Sequence, residues 1–157
     1  TALRVADEFR IKVVLDGAAE AQAVVDPIRK AGVGVIVHPT MARHGGQLEN
    51  ASFETASVLK QAGIPIALQT GFEGYVPKVR VLLFEAAVAA ANGLGMEGAL
   101  AASTIESAKL LGIADRVGSL EVGKDGDLAL FDGDPFEFAT RCTGVVIEGE
   151  VMSRDAR

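Results

Sequence analysis

Three short apolar runs of β-type residues lead into groups able to do chemistry. IKVVL at residues 11–15 closes on Asp16, VGVIV at residues 33–37 closes on His38, and IPIAL at residues 64–68 leads through Gln69 to Thr70 and Gly71. If these runs are parallel strands, their carboxyl ends share one rim, and Asp16, His38, Thr70 and Gly71 are the positions where a substrate would be met. The Asp16 carboxylate can ligate a divalent cation or, with Glu20 one helical turn further on, hold a cationic substrate group. It is better suited to cap a helix starting near Ala18. His38 can hydrogen-bond a substrate or shuttle protons, as histidine side chains do near neutral pH, although beside Pro39 it can also be a plain loop residue. Arg43 and His44 follow in a polar, Gly-containing stretch at residues 41–50, where the Arg fork could clamp a substrate carboxylate or simply be solvated.

Helices separate the three runs. An Ala-rich stretch at residues 18–31 reads as a helix that kinks or restarts near Asp26, because Pro27 lies inside it, and Gly32 closes it. Residues 51–62 read as a helix stopped by Gly63. Residues 78–92 read as a buried helix, and residues 96–102 and 104–111 as shorter ones, the last stopped by Gly112. Hydrophobicity that is continuous along each run instead of alternating marks strands covered on both faces, so the expected unit is a parallel (βα)3. With strand order following the chain, residues 11–15 and 64–68 form two open edges that invite pairing with other chains. Beyond Gly112, glycines punctuate short β-type runs at residues 117–122, 127–131 and 145–147, the pattern of a small antiparallel layer.

Composition excludes several function classes. The 157 residues, 49% of them hydrophobic, can fill a substantial core. With 15 Lys and Arg against 21 Asp and Glu, a net charge of -6 offers no field for phosphate backbones, so neither nucleic acid nor an anionic membrane surface is an expected partner. The long apolar stretch after Arg80 is broken by Glu85 and Asn92, too soon for a membrane span. The single Cys142 cannot form an internal disulfide; it is expected to be an ordinary buried thiol in a reducing, cytoplasmic setting. GSLEVGK at residues 118–124 lacks the phosphate-loop spacing, and Asp125-Gly126-Asp127 lacks the remaining ligands of a calcium loop. Thr1 opens in the middle of an amphipathic element, so the chain is expected to begin inside something larger.

TIESAKLLGIADRVGSLEVGKDGDLALFDGDPF at residues 104–136, followed by VVIEGEV at residues 145–151, resembles the C-terminal end of the metal-dependent amidohydrolase superfamily, in particular its imidazolonepropionase-like members. Gly126 departs from the Ala usual there. The resemblance implies an α/β fold: the last three βα units of a partial TIM-like (β/α) barrel over residues 1–112, then part of a small C-terminal β-sandwich over residues 113–157. It also implies hydrolysis of C–N bonds in cyclic amides or peptide-like substrates, assisted in full-length relatives by a divalent metal, zinc first. Asp16 falls where many relatives place a sixth-strand metal-binding His. Gly71 falls near where they place an eighth-strand Asp that binds metal and takes a proton from the attacking water. Glu73 is then the nearest carboxylate able to replace that base, with His38 the second catalytic candidate and Asp16, His38, Arg43, Thr70 and Gly71 the substrate-binding candidates. Alone, the chain is expected to hold no metal and to be inactive, and to self-associate or to join the missing N-terminal half. A non-catalytic barrel remnant or oligomerisation module is the rival reading.

Overall fold

The three apolar runs become a parallel sheet, but each strand is shorter than its run. The computed structural model describes residues 1–40, 46–71 and 78–154. After helix α1 (Ala2–Phe9), strands β1 (Leu15–Asp16), β2 (Val35–Val37) and β3 (Ile66–Leu68) lie side by side in chain order. β2 pairs with both neighbours, Val35 with Leu15 on one side and with Ile66 on the other. The first strand was expected over residues 11–15 and pairs only at its end. Arg10 adopts left-handed dihedrals and Ile11 N–H donates to Ala6 O at 3.0 Å, so residues after α1 are spent on reversing the chain, and Ile11 and Val14 stay exposed.

Helices pack against the face of this sheet that carries Val35, Val37 and Ile66. A 3-10 turn at Ala21–Val24 passes into α2 (Val25–Ala31), which places Pro27 in its first turn, where no N–H is needed. Helix α3 (Thr55–Gln61) starts later than its apolar pattern does, because Ser52 builds a turn first: its Oγ accepts Glu54 N–H at 3.1 Å and its carbonyl accepts Thr55 N–H at 3.3 Å. Helix α4 (Leu82–Ala89) continues into a π-type turn at Ala90–Leu94, followed by α5 (Met96–Ser103) and α6 (Ile105–Leu111). Ile28, Val35, Leu59 and Ile66 are fully buried between sheet and helices, and each large aliphatic side chain so placed contributes about 1.5–3 kcal/mol. Elsewhere the core is built from small residues: Ala86, Ala89, Ala99, Ala102 and Ala108 are all buried where α4, α5 and α6 meet the rest of the molecule. No helix among the described residues is long and apolar enough to cross a membrane.

The tail forms a second, antiparallel sheet of β4 (Leu128–Phe131), β5 (Cys142–Ile147) and β6 (Glu150–Arg154). Glu148 and Gly149, both at positive φ, make the tight β5–β6 turn, and Asp127 Oδ1 accepts Glu148 N–H at 2.9 Å to hold it. Two expectations fail here. Residues 117–122 form turns instead of a strand, with Leu120 and Val122 exposed. The physical reason is a local clamp: Arg116 donates to Asp125 Oδ2 at 2.6 Å while Asp125 N–H donates to Arg116 O at 2.8 Å, folding the segment back on itself. Cys142 is exposed, not buried, because it is the first residue of β5, at the end of the strand and paired with Phe131, away from the buried middle at Gly144.

These boundaries make a paired test. Ile66→Ala should lower unfolding free energy by about 2–5 kcal/mol by leaving a cavity. Ile11→Ala, on the exposed return, should change it by less than about 0.5 kcal/mol. Urea titration followed by far-UV circular dichroism measures both; equal losses would place Ile11 back in the strand.

Candidate functional site

Alternation along the strands sorts the rim residues. Leu15, Val35, Val37, Ile66 and Leu68 share one face and belong to or pack on the hydrophobic core. Asp16, Ile36 and Ala67 therefore share the opposite face, and His38 and Gln69, two residues further on, continue it at the carboxyl end. Gln69 Nε2 donates to Asp16 Oδ1 at 2.7 Å, linking β1 to β3 past the end of β2. Asp16 thus does not cap a helix: the helical turn begins only at Ala21, after Gly17 has reversed the chain, and the carboxylate is taken by Gln69. Glu20 is engaged elsewhere, its Oε1 accepting Asn50 N–H at 3.2 Å and Nδ2–H at 3.1 Å, so it forms no pair with Asp16 around a cation.

His38 is half-buried, and its Nδ1 lies 2.8 Å from Pro39 O. A carbonyl can only accept, so Nδ1 carries the proton and, in the neutral ring, Nε2 keeps a lone pair. The same logic fixes Gln69: its amide NH2 faces the Asp16 carboxylate, which leaves Oε1 as its remaining acceptor. The group therefore offers acceptors in Asp16, Gln69 and His38, an arrangement suited to a cation or to N–H donors.

Behind the rim, a cavity of about 10 Å³, enough for a single water, is lined by His38, Thr40, Leu68, Gln69, Glu85 and Ala89. Glu85 reaches it from α4. Its Oε2 accepts Thr40 N–H at 2.7 Å and Thr40 Oγ1–H at 2.6 Å, and the side chain is 2% exposed. Sequence reasoning missed both Gln69 and Glu85. A Gln after a strand and a Glu within an apolar helix carry no motif, although a lone charge in so apolar a stretch is itself a signal of a buried partner.

Thr70 and Gly71 are half-buried at the β3 end. Gly71 has φ +70, and a Cβ there would stand 2.7 Å from Pro39 Cγ. Backbone and neighbour alike thus select against any side chain at this position. Arg43, His44 and Glu73 lie outside the described residues. Among the described residues, no three His, Cys, Asp or Glu side chains gather as a metal-binding group, so a resident metal does not fit what Asp16 and His38 alone provide.

The profile of the amidohydrolase family matches residues 80–152. Imidazolonepropionase of Shewanella oneidensis is 36% identical over 102 residues, covering 60% of this chain and 25% of its own, and that of Shewanella baltica is 34% identical over 112 residues, covering 67% and 28%. An amidohydrolase of Thermotoga maritima superposes with a TM-score of 0.91 at 31% identity over 98% of this chain and 40% of its own. An adenosine deaminase of Xanthomonas campestris with bound zinc, 24% identical, shares the fold with a TM-score of 0.63 over 83% of this chain and 34% of its own. These likenesses define the fold as that of an amidohydrolase-type α/β protein. The chain belongs to the amidohydrolase superfamily and is imidazolonepropionase-like. It spans about a quarter of the length of the curated relatives it matches.

Gly71 offers a direct check on the rim. Gly71→Ala should cost about 2–4 kcal/mol, from left-handed strain together with overlap on Pro39. A chemical-denaturation midpoint equal to that of the unaltered chain would mean that the β3 end has room for a side chain.

Proposed function

We propose that the chain forms the C-terminal portion of an imidazolonepropionase-like hydrolase that cleaves C–N bonds in cyclic amides or peptide-like substrates. The observation that carries this reading is the 0.91 TM-score with the Thermotoga amidohydrolase over 98% of the chain, coupled to a polar cluster at the carboxyl ends of parallel strands. In barrel enzymes that is the end where chemistry occurs. Under this reading, residues 1–112 are the last three βα units of a (β/α)8-type barrel and residues 113–157 are part of a composite β-sandwich, in a cytoplasmic enzyme. Asp16, held by Gln69, and His38, through Nε2, receive donors from the substrate; Arg43, Thr70 and Gly71 complete the substrate contacts, and Glu73 serves as the base. The divalent metal, zinc first, belongs to this reading only with ligands beyond the described residues.

For the partner, the same likeness supports the remaining part of the fold. The open edges at β1 and β3 are completed by the strands that make up the other part of the fold. Phe53 and Phe84, both exposed on a groove of about 480 Å³ with Ala87, Val88 and Ala91, pack against that part. Self-association is the competing outcome, read by sedimentation of the chain with and without the complementary half.

A second reading, a non-catalytic barrel remnant, is favoured by the Gly71 geometry, since the position the family fills with its eighth-strand Asp rejects a side chain here. One experiment separates the two. After extensive dialysis the 157-residue chain should retain no stoichiometric divalent metal and hydrolyse no amide, whereas the full-length gene product should do both. Metal-free, inactive full-length protein would establish the remnant. In active full-length protein, Glu73→Gln should reduce kcat by about 10²–10⁴-fold; undiminished turnover would remove Glu73 from the role of base.

A further inference from the structure

Glu85 is the one charged side chain among the described residues that is withdrawn from water, at 2% exposure. A buried carboxylate is retained only where strong donors meet it, and the donors here include Thr40 N–H at 2.7 Å and Thr40 Oγ1–H at 2.6 Å, 45 residues away in sequence. The nitrogen of Thr40 and the carbonyl of Pro39 belong to one planar peptide group. Its N–H points at Glu85, and its oxygen lies 2.8 Å from His38 Nδ1. Carboxylate, peptide and imidazole therefore stand in a line of hydrogen bonds, each polarising the next.

We infer that Glu85 is a positioning residue for His38, acting through the Pro39–Thr40 peptide. A negative charge on the N–H side draws density toward the carbonyl oxygen and strengthens it as an acceptor. It also fixes the plane of the peptide, and so the place of that oxygen. The imidazole is thereby held as the Nδ1–H tautomer, which turns the Nε2 lone pair to the rim. This is the service a carboxylate commonly performs for a working histidine, here relayed by a backbone amide instead of made directly. The consequence for substrate rests on the hydrolase reading, but the tautomer does not, so the two can fail separately.

The test is nitrogen-15 NMR of the histidine rings in the folded 157-residue chain at pH 8, with His44→Gln used to assign the two rings. The unaltered chain should show His38 mainly as the Nδ1–H form and a Thr40 amide proton shifted well downfield by its carboxylate acceptor. Glu85→Gln, which keeps length and an acceptor oxygen but drops the charge, should lower the ratio of Nδ1–H to Nε2–H forms at least threefold. Thr40→Val removes the hydroxyl but keeps the peptide N–H, and should leave that ratio unchanged even as the melting temperature falls. An unchanged ratio in folded Glu85→Gln would overturn the inference, as would an equal fall in Thr40→Val. If Glu85→Gln does not fold, the unaltered chain decides alone: a dominant Nε2–H form or an unshifted Thr40 amide overturns it. Hydrolysis assays play no part in this outcome.

Discussion

Val35 pairs at once with Leu15 and Ile66, and this double register of β2 determines which side chains reach the rim and which reach the core. Strand side chains alternate, so a one-residue slip of β2 would send Ile36 and His38 into the helix-covered face and bring Val35 and Val37 out. The burial of Val35 and Val37 beneath α2 and α3 is thus also what keeps His38 beside Gln69. Apolar packing on one face pins polar geometry on the other, and the hydrogen bond from Gln69 to Asp16 then ties the two outer strands across the end of the middle one.

Much of the fold was legible in the chain because it rests on local chemistry. Continuous runs such as VGVIV announced parallel strands, and Gly32 and Gly112 end helices in left-handed conformation as such residues do. Element ends were less legible where a side chain from nearby competes with the regular pattern. Ser52 delays α3, and Arg116 with Asp125 folds a β-like stretch into turns. The site was the hardest part to read. Asp16 beside a forthcoming helix looks like a cap until Gln69, 53 residues later, claims its carboxylate. Glu85 looked like an interruption of an apolar stretch, since its partner Thr40 is defined only once α4 lies against the end of β2.

Gly71 and Pro39 show how one residue can close the position beside another. With Pro39 Cγ where a side chain would emerge and φ at +70, the position is closed both sterically and conformationally. Placing an acid there would require Pro39 to shift. Pro39 also carries the carbonyl that holds His38, so the end of β3 and the histidine after β2 are not independent positions.

The alanines between α4, α5 and α6 give this half of the molecule an uncommon response to sequence change. Ala86, Ala89, Ala99, Ala102 and Ala108 have no methylenes to lose, so truncation, the usual route to damage in a core, is nearly closed to them. Enlargement is the exposed flank: each added methylene must push one helix from the next, at about 1–3 kcal/mol per poorly accommodated side chain. Drift in this region is therefore confined to a narrow alphabet of Ala, Gly and Ser, whereas the aliphatic positions at Ile28, Leu59 and Ile66 can trade shapes among themselves. Two parts of one core should wander through sequence space at different speeds for a purely volumetric reason.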